Sequence, residues 1–100
     1  VTLTGSGAAL RDVAMRDAGG FGAAGGVLLN GDGVGLESLS LSRVLVYNFV
    51  GGVGLHLRAA NAGAVTYSTF TDVRVRHGAT GILLESDGVA DAFVNSNTFL

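Results

Sequence analysis

Three carboxylates fall within one short stretch of the chain, Glu85, Asp87 and Asp91 in "ESDGVAD". A pair of carboxylates can hydrolyse a glycosidic bond when the two stand about 5–9.5 Å apart, one as acid and the other as base or nucleophile. These three share one strand-and-loop segment, a span short enough for them to converge. Two further groups that can hold charge or carry a proton, His56 and Arg58, stand two residues apart in "LHLR". His77 lies in "RHGATG", where the adjoining Gly78 reads as part of a turn. The chain has no Cys, which excludes a catalytic thiol, a disulfide framework and a cysteine zinc site. No Ser-His-Asp arrangement and no metal-ligand cluster is readable.

The elements that must position these groups show themselves as a repeat. One series reads "VTLTGSG" from Val1, "VLLNGDG" from Val27, "LHLRAAN" from Leu55 and "ILLESDG" from Ile82, with starts 26, 28 and 27 residues apart. A second series interleaves with it: "LRDVAM" from Leu10, "LSRVLV" from Leu41, "FTDVRV" from Phe70, and Phe99 opening a fourth copy. A weaker third series precedes the second: "LESLSL" from Leu36, "VTYSTF" from Val65 and "VNSNTF" from Val94. Short apolar runs bounded by Gly, Asn, Asp or Ser form a strand-and-turn pattern. Alternation in the second series puts Val13, Met15, Val44, Val46, Val73 and Val75 on one face, as a strand requires.

Three short strands per period of about 28 residues describe one coil of a parallel β-solenoid, with coils stacked about 4.8 Å apart. Like residues then stack on like. Four interior ladders follow: Leu10, Leu41, Phe70 and Phe99; Val13, Val44 and Val73; Val27, Leu55 and Ile82; Leu3, Leu29, Leu57 and Leu84. The expected fold class is all-β, a parallel β-helix of about three and a half coils. Residues 1–100 are expected to form a single segment without an internal domain boundary, excerpted from a longer solenoid. Gly31-Asp32-Gly33 aligns with Gly5-Ser6-Gly7 and with Ser86-Asp87-Gly88. These read as coil corners, where glycine permits positive φ, rather than as phosphate or calcium loops. The link "RDAGGFGAAGG", Arg16 to Gly26, is the longest of its kind and reads as a projecting or covered loop with Phe21 as its large apolar group.

Polar residues also align. Asp12, Arg43 and Asp72 share one position; Asn30, Arg58 and Glu85 share another; Arg16, Tyr47 and Arg76 share a third. Side chains about 5 Å apart on neighbouring strands can pair, and an arginine can lie over a tyrosine ring. One reading is a solvent face whose pairs fix the register. The other is a strip for carbohydrate, since sugars suit arginine, aspartate and aromatic groups on an extended surface. On that reading Arg58, Glu85 and Asp87 are the candidate catalytic groups. His56, Tyr47, Arg74 and Arg76 are the candidate substrate-binding groups.

Through "FTDVRVRHGATGILLESDG" and its two earlier counterparts, essentially the whole chain resembles the right-handed parallel β-helix, or pectate-lyase-like, superfamily. That family includes polysaccharide lyases and hydrolases and the tailspikes and tail fibres of bacteriophages; the likeness is greatest to the phage appendages. The resemblance lies in coil pattern, and handedness is implied by it alone. It implies a polysaccharide partner, an extracellular or virion location, and a homotrimer as one assembly to look for. It also implies a lyase base of Arg or Lys type, for which Arg58 beside Glu85 is the nearest match. The Asn-Thr-Asp, paired-Asp and Gly-His-Gly motifs of a polygalacturonase are absent, and "RHGATG" lacks the glycine before His77.

A formal net charge of −2 gives no reason to expect nucleic acid or an anionic membrane as partner. No run reaches the 18 or so apolar residues of a membrane-spanning helix. No metal or other cofactor is expected. The expected function is a β-helix segment that binds a surface polysaccharide, with depolymerisation left open. The alternatives are a structural shaft or adhesin without catalysis, and a secreted bacterial polysaccharide lyase or hydrolase. Fold alone does not choose among them.

Overall fold

Strands that alternate apolar and polar residues bury one face only if another strand layer closes over it. This chain meets that need by winding on itself. The computed structural model describes residues 1–17, 25–88 and 91–100. The strands are β1 (Thr2–Leu3), β2 (Ala9–Arg16), β3 (Gly25–Asp32), β4 (Gly35–Glu37), β5 (Ser40–Tyr47), β6 (Val53–Ala60), β7 (Ala64–Thr66), β8 (Thr69–Arg76), β9 (Thr80–Ser86), β10 (Phe93–Asn95) and β11 (Thr98–Phe99). They form three sheets, ordered β1-β3-β6-β9, β4-β7-β10 and β2-β5-β8-β11. Every pairing is parallel. The chain visits the three sheets in turn, which makes a parallel β-solenoid of about three turns.

The register is the one the apolar spacing predicts. Leu10 pairs with Leu41, Leu41 with Phe70 and Phe70 with Phe99; Leu3, Leu29, Leu57 and Leu84 form a second row. Leu29, Leu41, Val46, Leu55, Leu57 and Val65 have no exposed surface, each burial stabilising the coil by about 1.5–3 kcal/mol. The Phe70 and Phe99 rings stack with centroids 4.6 Å apart. In the last coil the same rows come to the surface: Ile82 is 46% and Leu84 53% exposed.

Leu41 and Val44 are three residues apart, yet both are buried. Strict alternation would put them on opposite faces. The phase is reset at Arg43, whose φ is +53°, and at the equivalent Asp12 (+55°) and Asp72 (+52°). One left-handed residue per strand thus turns two adjacent side chains outward and returns the next to the core, as a bulge does. The corner into β5, β8 and β11 repeats a left-handed residue as well, at Ser38, Tyr67 and Ser96. His77 has φ +56° and Asn48 has φ +68° at the ends of β8 and β5, so His77 is the turn residue its sequence context predicts. The predicted projecting loop, with Phe21, lies outside the described residues.

Two details close the interior. Gly26 and Gly54 occupy one position in β3 and β6, where an added Cβ would lie 2.2 Å from Val46 Cγ1 and 2.1 Å from Val75 Cγ1. The valines fill the space that a side chain would need. Inside the corner before β8, the Leu39 N–H donates to Ser68 Oγ (3.2 Å). Ser68 Oγ–H donates to the Thr66 carbonyl (3.2 Å), and Ser68 N–H donates to Asn97 Oδ1 (2.9 Å). Asn97 Nδ2 in turn donates to the Val65 carbonyl (2.9 Å). Polar groups that the corner would otherwise bury without partners are thereby satisfied.

Candidate functional site

Outward positions on β3, β6 and β9 bring Arg58, Glu85 and His56 together. Arg58 pairs with Asn30 below it and Glu85 above it in register. Its Nη1 donates to Asn30 Oδ1 (3.0 Å) and to Asp32 Oδ2 (3.1 Å), while its Nε lies 3.5 Å from Glu85 Oε1. The same Glu85 oxygen lies 3.7 Å from His56 Nε2. That nitrogen is buried and lacks a hydrogen-bond partner; its neighbours in the row are Leu28 and Leu83. An arginine held between three acceptors on the two flanking strands, β3 and β9, neutralises the charge it stacks against. Asp32, which alignment placed only at a turn, is thus a principal partner of Arg58.

Asp87 is drawn elsewhere. Its Oδ2 accepts from the Asn61 N–H (2.9 Å), and Asn61 Nδ2 donates to Asp32 Oδ1 (2.6 Å). Asn61, Gly33 and Gly88 are the left-handed residues of equivalent corners, so Asn61 ties the corner beneath it to the corner above. Hydrogen bonds from Asn61 and then Arg58 hold the Asp32 carboxyl below the usual aspartate range. Glu85 therefore faces Arg58 and His56, whereas the Asp87 carboxylate serves a corner. Asp91 lies in the following turn with φ +69°. Among the described residues no group of three or more His, Cys, Asp and Glu could hold a metal ion.

The predicted binding residues Tyr47, Arg74 and Arg76 stand on a different sheet, the outer face of β2, β5 and β8. Arg16, Tyr47 and Arg76 are partners in register, and the Arg16 guanidinium carbon lies 5.8 Å from the Tyr47 ring centroid. An open cavity of about 480 Å³ runs beside them, lined by Ala14, Arg16, Leu45, Tyr47, Arg76 and His77 among others. A second, of about 340 Å³, is lined by Arg43, Leu45, Asp72, Arg74 and Arg76. Leu45 and Arg76 belong to both, so the two join into one groove. His56, Arg58, Glu85 and Asp87 line neither. The candidate catalytic and binding residues therefore occupy two surfaces, with only His56 of the binding set beside the catalytic candidates.

Ion pairs differ along this second face. Arg43 Nε and Nη2 engage both oxygens of Asp12, the Nη2 contact being 2.9 Å, which holds the Asp12 carboxyl below its usual range and raises Arg43. Arg74 Nε donates to Asp72 Oδ1 (2.7 Å) within its own strand. Sequence alignment found the Asp12–Arg43–Asp72 row but not the capture of Asp72 by Arg74.

No protein-family model matches the chain, nor does any curated protein or solved structure.

Proposed function

We propose that this chain is a segment of an extracellular or virion β-solenoid that binds a surface polysaccharide along the outer face of β2, β5 and β8. The observation that carries the reading is the row Arg16–Tyr47–Arg76 beside an open groove. An extended, relatively flat surface with one aromatic ring between guanidinium groups suits the alternating polar edges and apolar faces of a sugar chain. The pectate-lyase-like and phage-appendage resemblance of the coil pattern agrees with this reading, and a homotrimer of longer chains is the assembly to test for.

Depolymerisation, if this segment takes part in it, belongs to the β3–β6–β9 face, where Glu85 is the acid or base candidate and Arg58 the charge-bearing one. A shaft without catalysis is the second reading. It is favoured by the way Asn30, Asp32 and Glu85 satisfy Arg58, an arrangement suited to locking register. Calorimetric titration of the chain with purified bacterial surface polysaccharides tests the proposal. Binding that falls at least tenfold in Tyr47→Ala, with the melting temperature unchanged, supports it. An absence of binding to every polysaccharide leaves the shaft.

A further inference from the structure

The net charge of −2 conceals a segregation of charge. Strands β2, β5 and β8 carry five of the six arginines, at positions 11, 16, 43, 74 and 76, and only two of the eight carboxylates, Asp12 and Asp72. One sheet face is thus basic on a protein that is acidic as a whole. The two aspartates are taken by Arg43 and Arg74. Arg16 and Arg76 have no carboxylate within ion-pair distance among the described residues, and both are exposed at the groove.

Their spacing is set by the fold. Arg16 and Arg76 are two coils apart in one register row, with Tyr47 between them. Two strand spacings amount to roughly 9.5 Å, about the length of two sugar units in an extended glycan. A glycan laid across the strands meets a guanidinium, an aromatic ring and a second guanidinium at successive sugars, with Arg16 exchanging its contact with the Tyr47 ring for the ligand.

We infer that the groove selects an acidic polysaccharide with a carboxylate on alternate sugars, Arg16 and Arg76 each taking one carboxylate while the intervening uncharged sugar lies on Tyr47. The inference rests on the carbohydrate-binding reading above and specifies its ligand. A guanidinium holds a carboxylate through two parallel hydrogen bonds, and a charged sugar over the Tyr47 ring would lose hydration without gaining a partner. Nucleic acid is a poorer fit, because a phosphate on every nucleotide would also set a charge over the Tyr47 ring.

The test titrates the full chain with hyaluronan, which alternates a uronate with an uncharged sugar. Parallel titrations use its carboxyl-reduced form, polygalacturonate, neutral dextran and polyglutamate. Hyaluronan should bind at least tenfold more tightly than its carboxyl-reduced form, the loss expected for a charge-assisted hydrogen bond, and several-fold more tightly than polygalacturonate. Arg16→Gln and Arg76→Gln should each lower hyaluronan affinity about tenfold and lower affinity for the carboxyl-reduced polymer much less, with the melting temperature unchanged. Equal binding of the native and carboxyl-reduced polymers overturns the inference while preserving carbohydrate binding. Equal binding of polyglutamate overturns the assignment to a glycan. Failure to bind any of the glycans overturns both readings.

Discussion

Arg43 reaches across one coil to hold both carboxylate oxygens of Asp12, although both residues have left-handed backbone torsions, +53° and +55°. The kink that realigns each strand with the core also turns these two side chains outward at equivalent positions of adjacent strands. A backbone device for burying Leu41 and Val44 therefore creates the surface ion pair.

Acid should loosen this arrangement in a defined window. The carboxyls of Asp12 and Asp32 are held below their ordinary value by hydrogen bonds from Arg43 and from Asn61 and Arg58. A depressed folded pKa stabilises the fold fully above the unfolded value, about 3.9 for aspartate, and that contribution is lost as pH falls through the folded value. Melting temperature followed from pH 6 downward should decline below about pH 4, and the decline should be shallower in the Asp12→Asn, Asp32→Asn double variant. An unchanged slope would remove these two groups from the acid response.

Gly54 and Gly81 share one row but not one environment. A methyl group on Gly54 would meet Val75 Cγ1 at 2.1 Å and the Gly81 carbonyl oxygen at 2.9 Å, whereas one on Gly81 has no neighbour within 4 Å. Gly54→Ala should cost about 1–3 kcal/mol through overpacking, and Gly81→Ala less than about 0.5 kcal/mol. Chemical denaturation of the two variants side by side measures the difference.

Tyr67 has φ +53° and is 64% exposed. Its backbone is strained without burial of the ring in return. Tyr67→Asn, which adopts left-handed torsions more readily, should stabilise the chain by about 0.5–1 kcal/mol, read as a rise in denaturation midpoint. A fall in midpoint would mean that the exposed ring contributes contacts worth more than the strain.

Binding and any turnover should separate by face. Arg58→Ala and Glu85→Ala remove residues that do not line the β2–β5–β8 groove, so polysaccharide affinity should stay within about twofold of the parent, the scale of surface substitutions remote from a site. If the parent protein cleaves its glycan, release of new sugar ends should fall at least a hundredfold, the loss of a general acid or base. Unchanged cleavage in both variants would exclude these residues as catalysts.

The parallel coils and their four interior rows were legible because stacking repeats the same apolar demand at the same position: Leu3, Leu29, Leu57 and Leu84 announce one another. The Arg58–Glu85 and Arg16–Tyr47–Arg76 rows were legible for the same reason. Their separation onto two surfaces was not, because a repeat specifies height along the solenoid more directly than direction around it. The kink at Asp12, Arg43 and Asp72 was hidden by residue type, none of the three being glycine. Asp32 was read as a corner alone because its pairing with Arg58 depends on how far a guanidinium can reach from the neighbouring strand. Net charge, summed over the chain, gave no sign of the basic face.

That basic face makes the solenoid electrically polar across its long axis, with excess positive charge toward one side. A negatively charged polymer approaching from any direction would experience a torque before contact, turning the molecule so that β2, β5 and β8 lead. Two such solenoids brought side by side would favour unlike faces in apposition. At low ionic strength the orientation in which the protein meets a charged surface is consequently selected by the placement of its arginines, even though its overall charge would predict repulsion.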